Sequence, residues 1–441
     1  MELHNENPFK VKSVANAAFK VDKLPYPIYT RSLAEMEQVD GLGKSIASKI
    51  NEFIQTSSIQ ELAELIKLTP PGIIEMMQIK GIGPKKILVI ITRRIGDVLL
   101  TTPLIHTLKA AWPQAKIDVL VFKNTRDILS NHPDINQVIF APDSKSKLAN
   151  LKWIMGLWNQ YDLAISALTS DRATFSAWIA GKYRIGLVEN KPKQRWNKYL
   201  LNDSVTFDNL TTHTVSMVLK LASKLGLPLK HQVSVNWTQK DSTYVDTLFS
   251  EFAINHNQAF AVLHIYPKFS YKMWHSDGWL AVVTWLNEQN IQVILTGSSD
   301  QDEMRYIQSL MDKLPAQTLN LAGRLNFAQM AYLLKKACVY VGPDTVATHL
   351  AAAMGTPTIA LFGPSNPVKW GPWPMNYNET DSPWEMIGAS QQVANVLLLQ
   401  GLGDCVPCHQ EGCDRHTNSR SKCLDNLPAS RVIEAIKTLL T

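Results

Sequence analysis

The chain has 441 residues, 45 % of them apolar and 19 % charged, with a formal net charge of +6. That length exceeds what one core organises and predicts two or three domains, while the composition excludes disorder over most of the chain. A charge this modest does not by itself point to nucleic acid, and no apolar run approaches the ~18 to 20 residues that span a bilayer. Met1-Glu2-Leu3-His4-Asn5-Glu6-Asn7 lacks the basic start and apolar stretch of a signal peptide, so the expected location is the cytoplasm. The five cysteines would be reduced there.

Residues 1–86 read as a small all-α domain. Apolar positions at helical spacing predict helices over residues 32–38, 44–55 and 59–67. Val39-Asp40-Gly41-Leu42-Gly43-Lys44 and Ile79-Lys80-Gly81-Ile82-Gly83-Pro84 repeat an apolar-x-Gly-apolar-Gly pattern. Two glycines in a tight turn ahead of a helix let backbone N–H groups approach a phosphate, which makes Gly41, Gly43, Gly81 and Gly83 candidate nucleic-acid contacts. This is the helix-hairpin-helix pattern. With Asn7-Pro8-Phe9-Lys10, Lys44 to Ile50 and Thr69-Pro70-Pro71-Gly72, the segment resembles the N-terminal DNA-binding domain of family X DNA polymerases. The resemblance puts Lys49 where lyase-active members carry their Schiff-base lysine. Phe9 replaces their usual tyrosine and no polymerase carboxylates follow, so polymerase activity is excluded. Acids and bases nearly balance here, which implies weak DNA binding.

At Lys85-Lys86-Ile87 the pattern changes. Ile87-Leu88-Val89-Ile90-Ile91 reads as a buried parallel strand and truncates the second hairpin. Further strands are expected at residues 117–122, 162–167, 259–265, 291–296, 338–341 and 358–362, with helices at 98–111, 214–225 and 327–336. This alternation predicts an α/β chain of open, mostly parallel sheets. Two Rossmann-like domains are expected, residues 87–245 and 246–441, facing one cleft, with the last helix (429–440) packing back on the first. Residues 182–199 read as a loop carrying Lys182, Arg184, Lys191, Lys193, Arg195 and Lys198 against Glu189, with Tyr183, Trp196 and Tyr199 interleaved. It suits a phosphorylated glycolipid or a membrane surface, or else is an ordinary solvated loop.

Ligands of open α/β sheets bind where strands lead into helices. Thr92-Arg93-Arg94-Ile95-Gly96-Asp97 follows the first strand. Asp97 there either caps the next helix or serves as a base toward an acceptor hydroxyl. Val341-Gly342-Pro343-Asp344-Thr345-Val346-Ala347-Thr348-His349 again reads strand, turn, helix, and places Asp344 and Thr345 at a helix N-terminus suited to pyrophosphate. His349 is read either as a core histidine or as a ligand contact.

These segments, with Lys272-Met273-Trp274, Gly297 followed by Asp300 and Glu303, Leu321-Ala322-Gly323-Arg324 and Leu361-Phe362-Gly363-Pro364, resemble the family 9 glycosyltransferases. The best-known members are ADP-heptose:lipopolysaccharide heptosyltransferases. The resemblance spans about 350 residues and implies a GT-B fold and an inverting, metal-independent transfer from an ADP-sugar to a lipopolysaccharide core acceptor. It implies Asp97 as catalytic base and Lys272 as the cleft lysine that neutralises phosphate. Gly297, Glu303, Asp344, Thr345 and His349 are then donor contacts, and Arg94, Lys191, Lys193 and Arg195 acceptor contacts. Val346 stands where the family commonly has glycine. No Asp-x-Asp pair is evident near the donor loop, and no cofactor is required for the implied chemistry.

Cys405, Cys408, Cys413 and Cys423 crowd the tail. They are read as a tetrahedral structural zinc site or as free thiols. Two functions compete: a glycosyltransferase working at the inner face of the inner membrane, and a nucleic-acid-binding protein with an inactive transferase portion.

Overall fold

A computed structural model of the chain describes residues 13–14, 16–18, 20–21, 23–39, 41–56, 58–68, 83–142, 147–252, 254 and 258–441. Side chains are described for the same residues except 65–68, 147–149, 151 and 192–195. The chain divides into two compact units, Met1–Lys80 and Gly81–Thr441.

In the first unit the helices Leu33–Glu37, Lys44–Thr56 and Gln60–Leu68 form where apolar spacing places them. Ser32 and Glu35 make a capping box that starts the first of these. Leu42 is buried and anchors the hairpin turn, leaving Gly41 and Gly43 exposed. Gly41 has φ +85°, which a side chain would resist. Gly81 lies outside the described residues, as do residues 69–80. Gly83 belongs to the second unit, where its α-carbon faces the Trp112 indole; a Cβ there would come within 2.6 Å of the ring.

The second unit contains both sheets. Strands β1 (Lys86–Ile90), β2 (Lys116–Val121), β3 (Gln137–Phe140), β4 (Tyr161–Ser166), β5 (Gly181–Val188) and β6 (Asp203–Thr206) run parallel in the order β3-β2-β1-β4-β5-β6. Ile87 to Ile90 are buried on both faces because helices cover each side, which is why this strand reads as an unbroken apolar run. The second sheet comprises β7 (Phe260–His264), β8 (Gln292–Thr296), β9 (Leu319–Asn320), β10 (Val339–Pro343), β11 (Thr358–Phe362), β12 (Ser390–Val393) and β13 (Val396–Gln400). Its order is β12-β13-β11-β10-β7-β8-β9, with β12 antiparallel at the edge. The strand order reverses beside β1 in one sheet and between β7 and β10 in the other. A crevice opens beyond the strand ends at such reversals.

Four expectations change. The last helix, Ala429–Leu440, packs on the second sheet and not on the first, because Val432, Ala435 and Ile436 are buried in that core. Residues on both sides of the expected 245/246 boundary form one helix, Gln239–Glu251, which belongs to the second lobe: it packs on Phe327–Lys336, and Asp246 pairs with Lys336. The expected helix over 98–111 is two, Ile95–Leu99 and Thr102–Ala111, since Pro103 favours a fresh start. Much of the basic loop is structured. Lys182 and Arg184 lie on β5, and Pro192–Leu200 forms a 3-10 helical turn. Tyr183, Ile185 and Leu187 alternate as a strand requires, and the charges between them masked that pattern.

Candidate active site

Asp97 occupies the third position of the helix Ile95–Leu99, directly after β1 at the first reversal. It stands as the acid in the first turn of that helix, where its charge meets the helix dipole, and this does not use up the group, because Asp97 stays partly exposed. Burial raises the carboxyl above its ordinary value, against the opposing pull of Arg93, Arg94 and Lys369. A raised carboxylate is a stronger base than a free one.

Across the crevice the second reversal supplies the other half. The turn Ser270–Lys272 after β7 carries Lys272, and the loop after β10 carries Asp344. The Lys272 ammonium donates to the Asp344 carboxylate, and to the Asp344 carbonyl at 3.3 Å. Burial opposes the charge on Asp344, but Lys272, together with the Ser365 hydroxyl, holds its carboxyl below the ordinary value. Thr345 caps the helix Val346–Met354 without a side-chain hydrogen bond to it, so the first N–H groups of that helix remain available. Val346 is the first residue of the helix.

His349 sits on that helix, and burial pulls its pKa down to about 4. Its Nδ1 is buried without a hydrogen-bond partner. The helices Ile95–Leu99 and Val346–Met354 touch, and a Cβ on Gly96 would lie 3.9 Å from the His349 ring. Asp97, His349, Asp344 and Lys272 thus share one cleft. Arg94 reaches over the same opening, its guanidinium 4.9 Å from the centre of the Phe269 ring beside the Lys272 turn.

Gly297 and Glu303 form a second feature of this lobe, at the end of β8. A Cβ on Gly297 would lie 2.6 Å from a Glu303 oxygen, so only glycine lets the carboxylate settle over the strand end. One Glu303 oxygen accepts the Ser298 hydroxyl, and the other is buried without a hydrogen bond. That second oxygen faces His264 Nε2 at 4.0 Å, so the His349 Nδ1 is the buried polar atom here left for a polar ligand to satisfy. Asp300-Gln301-Asp302 has Asp-x-Asp spacing but serves the helix: Asp300 caps it, and Asp302 pairs with Arg305.

Lys191 pairs with Glu189 just past β5. The side chains of Lys193 and Arg195 lie outside the described residues. In the first unit, Lys49 pairs with Glu61. Among the described residues no group of three or more His, Cys, Asp or Glu side chains is placed to hold a metal ion. The tail cysteines, read as a zinc site or as free thiols, are free thiols here. Cys405 and Cys413 are exposed, Cys413 accepts the Lys422 N–H at 3.4 Å, and Cys423 is buried against Gly363 and Gly401. Burial, with the neighbouring thiols, pushes the Cys423 thiol up to about 12.

Sequence reasoning missed Lys369, whose field reaches Asp97, and Ser365. Both follow the Gly363-Pro364 signature by a few residues. A lone cation in the otherwise apolar run Pro367-Val368-Lys369-Trp370-Gly371-Pro372-Trp373 was the available signal.

Residues 152–392 match the glycosyltransferase family 9 (heptosyltransferase) family. The chain belongs to that family. Among relatives of this family 9 glycosyltransferase, lipopolysaccharide heptosyltransferase 3 of Escherichia coli (strain K12) is 28 % identical over 302 residues, covering 64 % of this chain and 83 % of the relative. The family 9 glycosyl transferase of Veillonella parvula superposes with a TM-score of 0.66 at 16 % identity, covering 81 % of this chain and 97 % of that one. The E. coli ADP-heptose lps heptosyltransferase II superposes at 0.62 and 23 %, covering 80 % and 98 %. The transferase portion has their GT-B fold. Residues 1–59 match a helix-hairpin-helix domain. A 90-residue stretch is 36 % identical to DNA polymerase/3'-5' exonuclease PolX of Bacillus subtilis (strain 168), covering 20 % of this chain and 15 % of that protein.

Proposed function

We propose that the enzyme transfers a heptose, or a related sugar, from an ADP-sugar to a lipopolysaccharide core acceptor by an inverting, metal-independent route. The observation that carries this reading is the cleft itself: a raised carboxylate on one lobe faces a lysine and a helix N-terminus on the other. Asp97 takes the proton of an acceptor hydroxyl as that oxygen attacks the anomeric carbon from the face opposite the diphosphate. The bond from the anomeric carbon to the diphosphate oxygen breaks, and ADP leaves carrying the electron pair. Lys272 and the N–H groups after Thr345 stabilise the charge that develops there, the work a metal does in other transferases. Asp344 orients Lys272, while His349, Glu303 and the Gly297 turn receive the rest of the donor. The names of the relatives support the sugar, nucleotide and acceptor.

Arg94, Lys191, Lys193 and Arg195 meet the anionic acceptor, at the edge of the first sheet that also carries Asp97. With Trp196 and Tyr199 exposed nearby, this edge suits an enzyme working on the cytoplasmic face of the inner membrane. No helix among the described residues is long and apolar enough to cross a membrane.

The test is turnover of ADP-heptose with truncated core lipids, read by mass spectrometry with and without a chelator. Asp97→Asn should lower turnover by at least ~10²-fold. It should not lower the melting temperature, because a carboxyl whose folded pKa is raised costs stability once ionised, and the amide removes that cost. Wild-type turnover in this variant would reject Asp97 as base, and loss of activity on chelation would reject the metal-free route.

A second reading applies to the N-terminal unit alone. The exposed Gly41 and Gly43 turn suits weak, salt-sensitive contact with nucleic-acid backbone. The Lys49 ion pair argues against a free nucleophilic amine there.

A further inference from the structure

His213 is a buried ring with both nitrogens committed, and the reaction above does not use it. It is 0 % exposed and precedes the helix Thr214–Lys224 of the first lobe. Its Nδ1 accepts the Val215 backbone N–H at 3.1 Å, which only a bare ring nitrogen can do. The ring proton is therefore on Nε2, and Nε2 donates it to the Gly371 carbonyl at 2.8 Å. Burial pulls the ring down to about 3, so this neutral form is the one present near pH 7.

The first bond caps a helix within one lobe, whereas the second crosses to the other. Gly371 belongs to the segment that leaves β11 on the donor side. Three further hydrogen bonds cross at the same seam: Thr214 donates its hydroxyl to the Lys369 carbonyl at 3.1 Å, Asn366 donates to the Leu210 carbonyl at 2.9 Å, and the Lys369 ammonium donates to the Asp208 carbonyl at 3.3 Å. The Trp373 ring covers the seam, its centre 4.7 Å from that of the His213 ring and 6.4 Å from that of His231. Neither side yields easily. The helix after His213 packs on β5 and β6. Gly371 lies so close to Trp384 that a Cβ would stand 2.1 Å from that ring, which is itself held by a bond to the Pro372 carbonyl at 3.0 Å.

An N-cap needs only the first of the two bonds, and Asn, Asp or Ser makes it with a shorter side chain. The length and second nitrogen of the histidine serve only between the lobes. This seam bears on the cleft. β11 pairs with β10, whose end carries Asp344, and β6 belongs to the sheet whose β1 leads to Asp97. Transfer needs an oxygen held on one lobe to attack a carbon held on the other, so a shift of ~1 Å between them can cost ~10²-fold in rate.

We propose that His213 is a positioning residue for the transfer: through the Gly371 carbonyl it fixes the lobe that carries Asp97 against the lobe that carries Lys272 and the donor loop. The proposal rests on sugar transfer taking place in the cleft between them.

The experiment separates the two bonds. His213→Asn puts an acceptor where Nδ1 stands and keeps the cap, but falls short of Gly371. His213→Gln reaches Gly371 with its amide N–H and gives up the cap. Wild type and both variants are compared by steady-state kinetics with ADP-heptose and a truncated core lipid, ADP affinity by calorimetry, thermal melts, and hydrogen exchange over residues 366–373. With the three other cross-lobe bonds in place, His213→Asn should lower kcat by about tenfold, leave ADP affinity within about twofold and quicken exchange over that segment. His213→Gln should restore most of kcat and melt lower, as a lost cap requires. Wild-type kcat in His213→Asn, or a larger loss of kcat in His213→Gln in step with its melting temperature, would make His213 a cap alone and overturn the proposal. Should His213→Asn not fold, His213→Ser, another capping residue too short for Gly371, gives the same readout. A wild type that turns over no ADP-sugar would fail the transfer reading, whereas quickened exchange in His213→Asn beside unchanged exchange in His213→Gln would still uphold the tie between lobes.

Discussion

Removing Lys272 should cost stability and activity together, and a second substitution should return only the first. In Lys272→Met the Asp344 carboxylate is left without its cation, and its side chain is only 7 % exposed, against 18 % for that of Lys272. Breaking a fully buried pair from one side costs about 3 to 5 kcal/mol. The partial exposure of Lys272 brings this to about 2 to 4 kcal/mol, or ~5 to 10 °C in melting temperature for a domain of this size. Lys272→Met/Asp344→Asn leaves no unpaired charge and should recover most of that loss. Activity should behave otherwise. A unit charge ~4 Å from the diphosphate in a partly screened cleft contributes up to ~4 kcal/mol, so kcat/KM should fall by about 10²-fold or more in both variants. Because the folded Asp344 carboxyl titrates below its unfolded value, the pair's contribution is complete above pH ~4 and fades as pH falls through the folded value. Thermal melts at pH 7 and ADP-release kinetics on the three proteins are the assay. Equal melting temperatures for the single and double variants, or activity regained in the double, would refute the reasoning.

Deleting residues 1–80, the first compact unit, should leave sugar transfer unchanged; a folded truncate without activity would place part of the site in that unit. Gly43→Val should abolish any salt-sensitive DNA binding by full-length protein while leaving the fold in place, since a Cβ there meets nothing within 4 Å; a gel shift that survives the substitution would remove the hairpin as the contact. Replacing Lys191, Lys193 and Arg195 with Ser should raise the KM for acceptor but not for donor. That effect should shrink with added salt, because exposed charges are screened over ~8 to 10 Å, and equal acceptor kinetics at low salt would assign these residues to a solvated surface.

Strands buried on both faces were the easiest part of the fold to read. Ile87 to Ile91, Thr358 to Phe362 and the intervening runs stand out because a parallel strand between helices has no polar face to disguise it. β5 escaped for the opposite reason. Lys182 and Arg184 are satisfied by Asp162 and Asn202, partners 20 and 18 residues away. A strand whose outward charges find their partners on neighbouring segments looks like a solvated loop until those segments are known. The same nonlocality moved the final helix: its apolar stripe promises burial, but nothing within residues 429–440 says which sheet provides it.

The candidate site divides along the same line. The placement of Asp97, Asp344, Thr345 and His349 beside strand ends was legible because the chain itself fixes the geometry there, while the choice between cap and base for Asp97, or core and ligand contact for His349, came only from the family resemblance. The ion pair between Lys272 and Asp344 spans 72 residues and the contact of Lys369 with Asp208 spans 161, and no local pattern encodes either. The four tail cysteines left two readings open, zinc or free thiols, because spacing constrains only the backbone, while Gly363 and Gly401, far off in sequence or beyond the cluster, open the room that Cys423 fills in the core. Local spacing is thus informative where one strand end builds the chemistry. It is silent where the chemistry is built between distant strand ends, as the pairing of Lys272 with Asp344 shows.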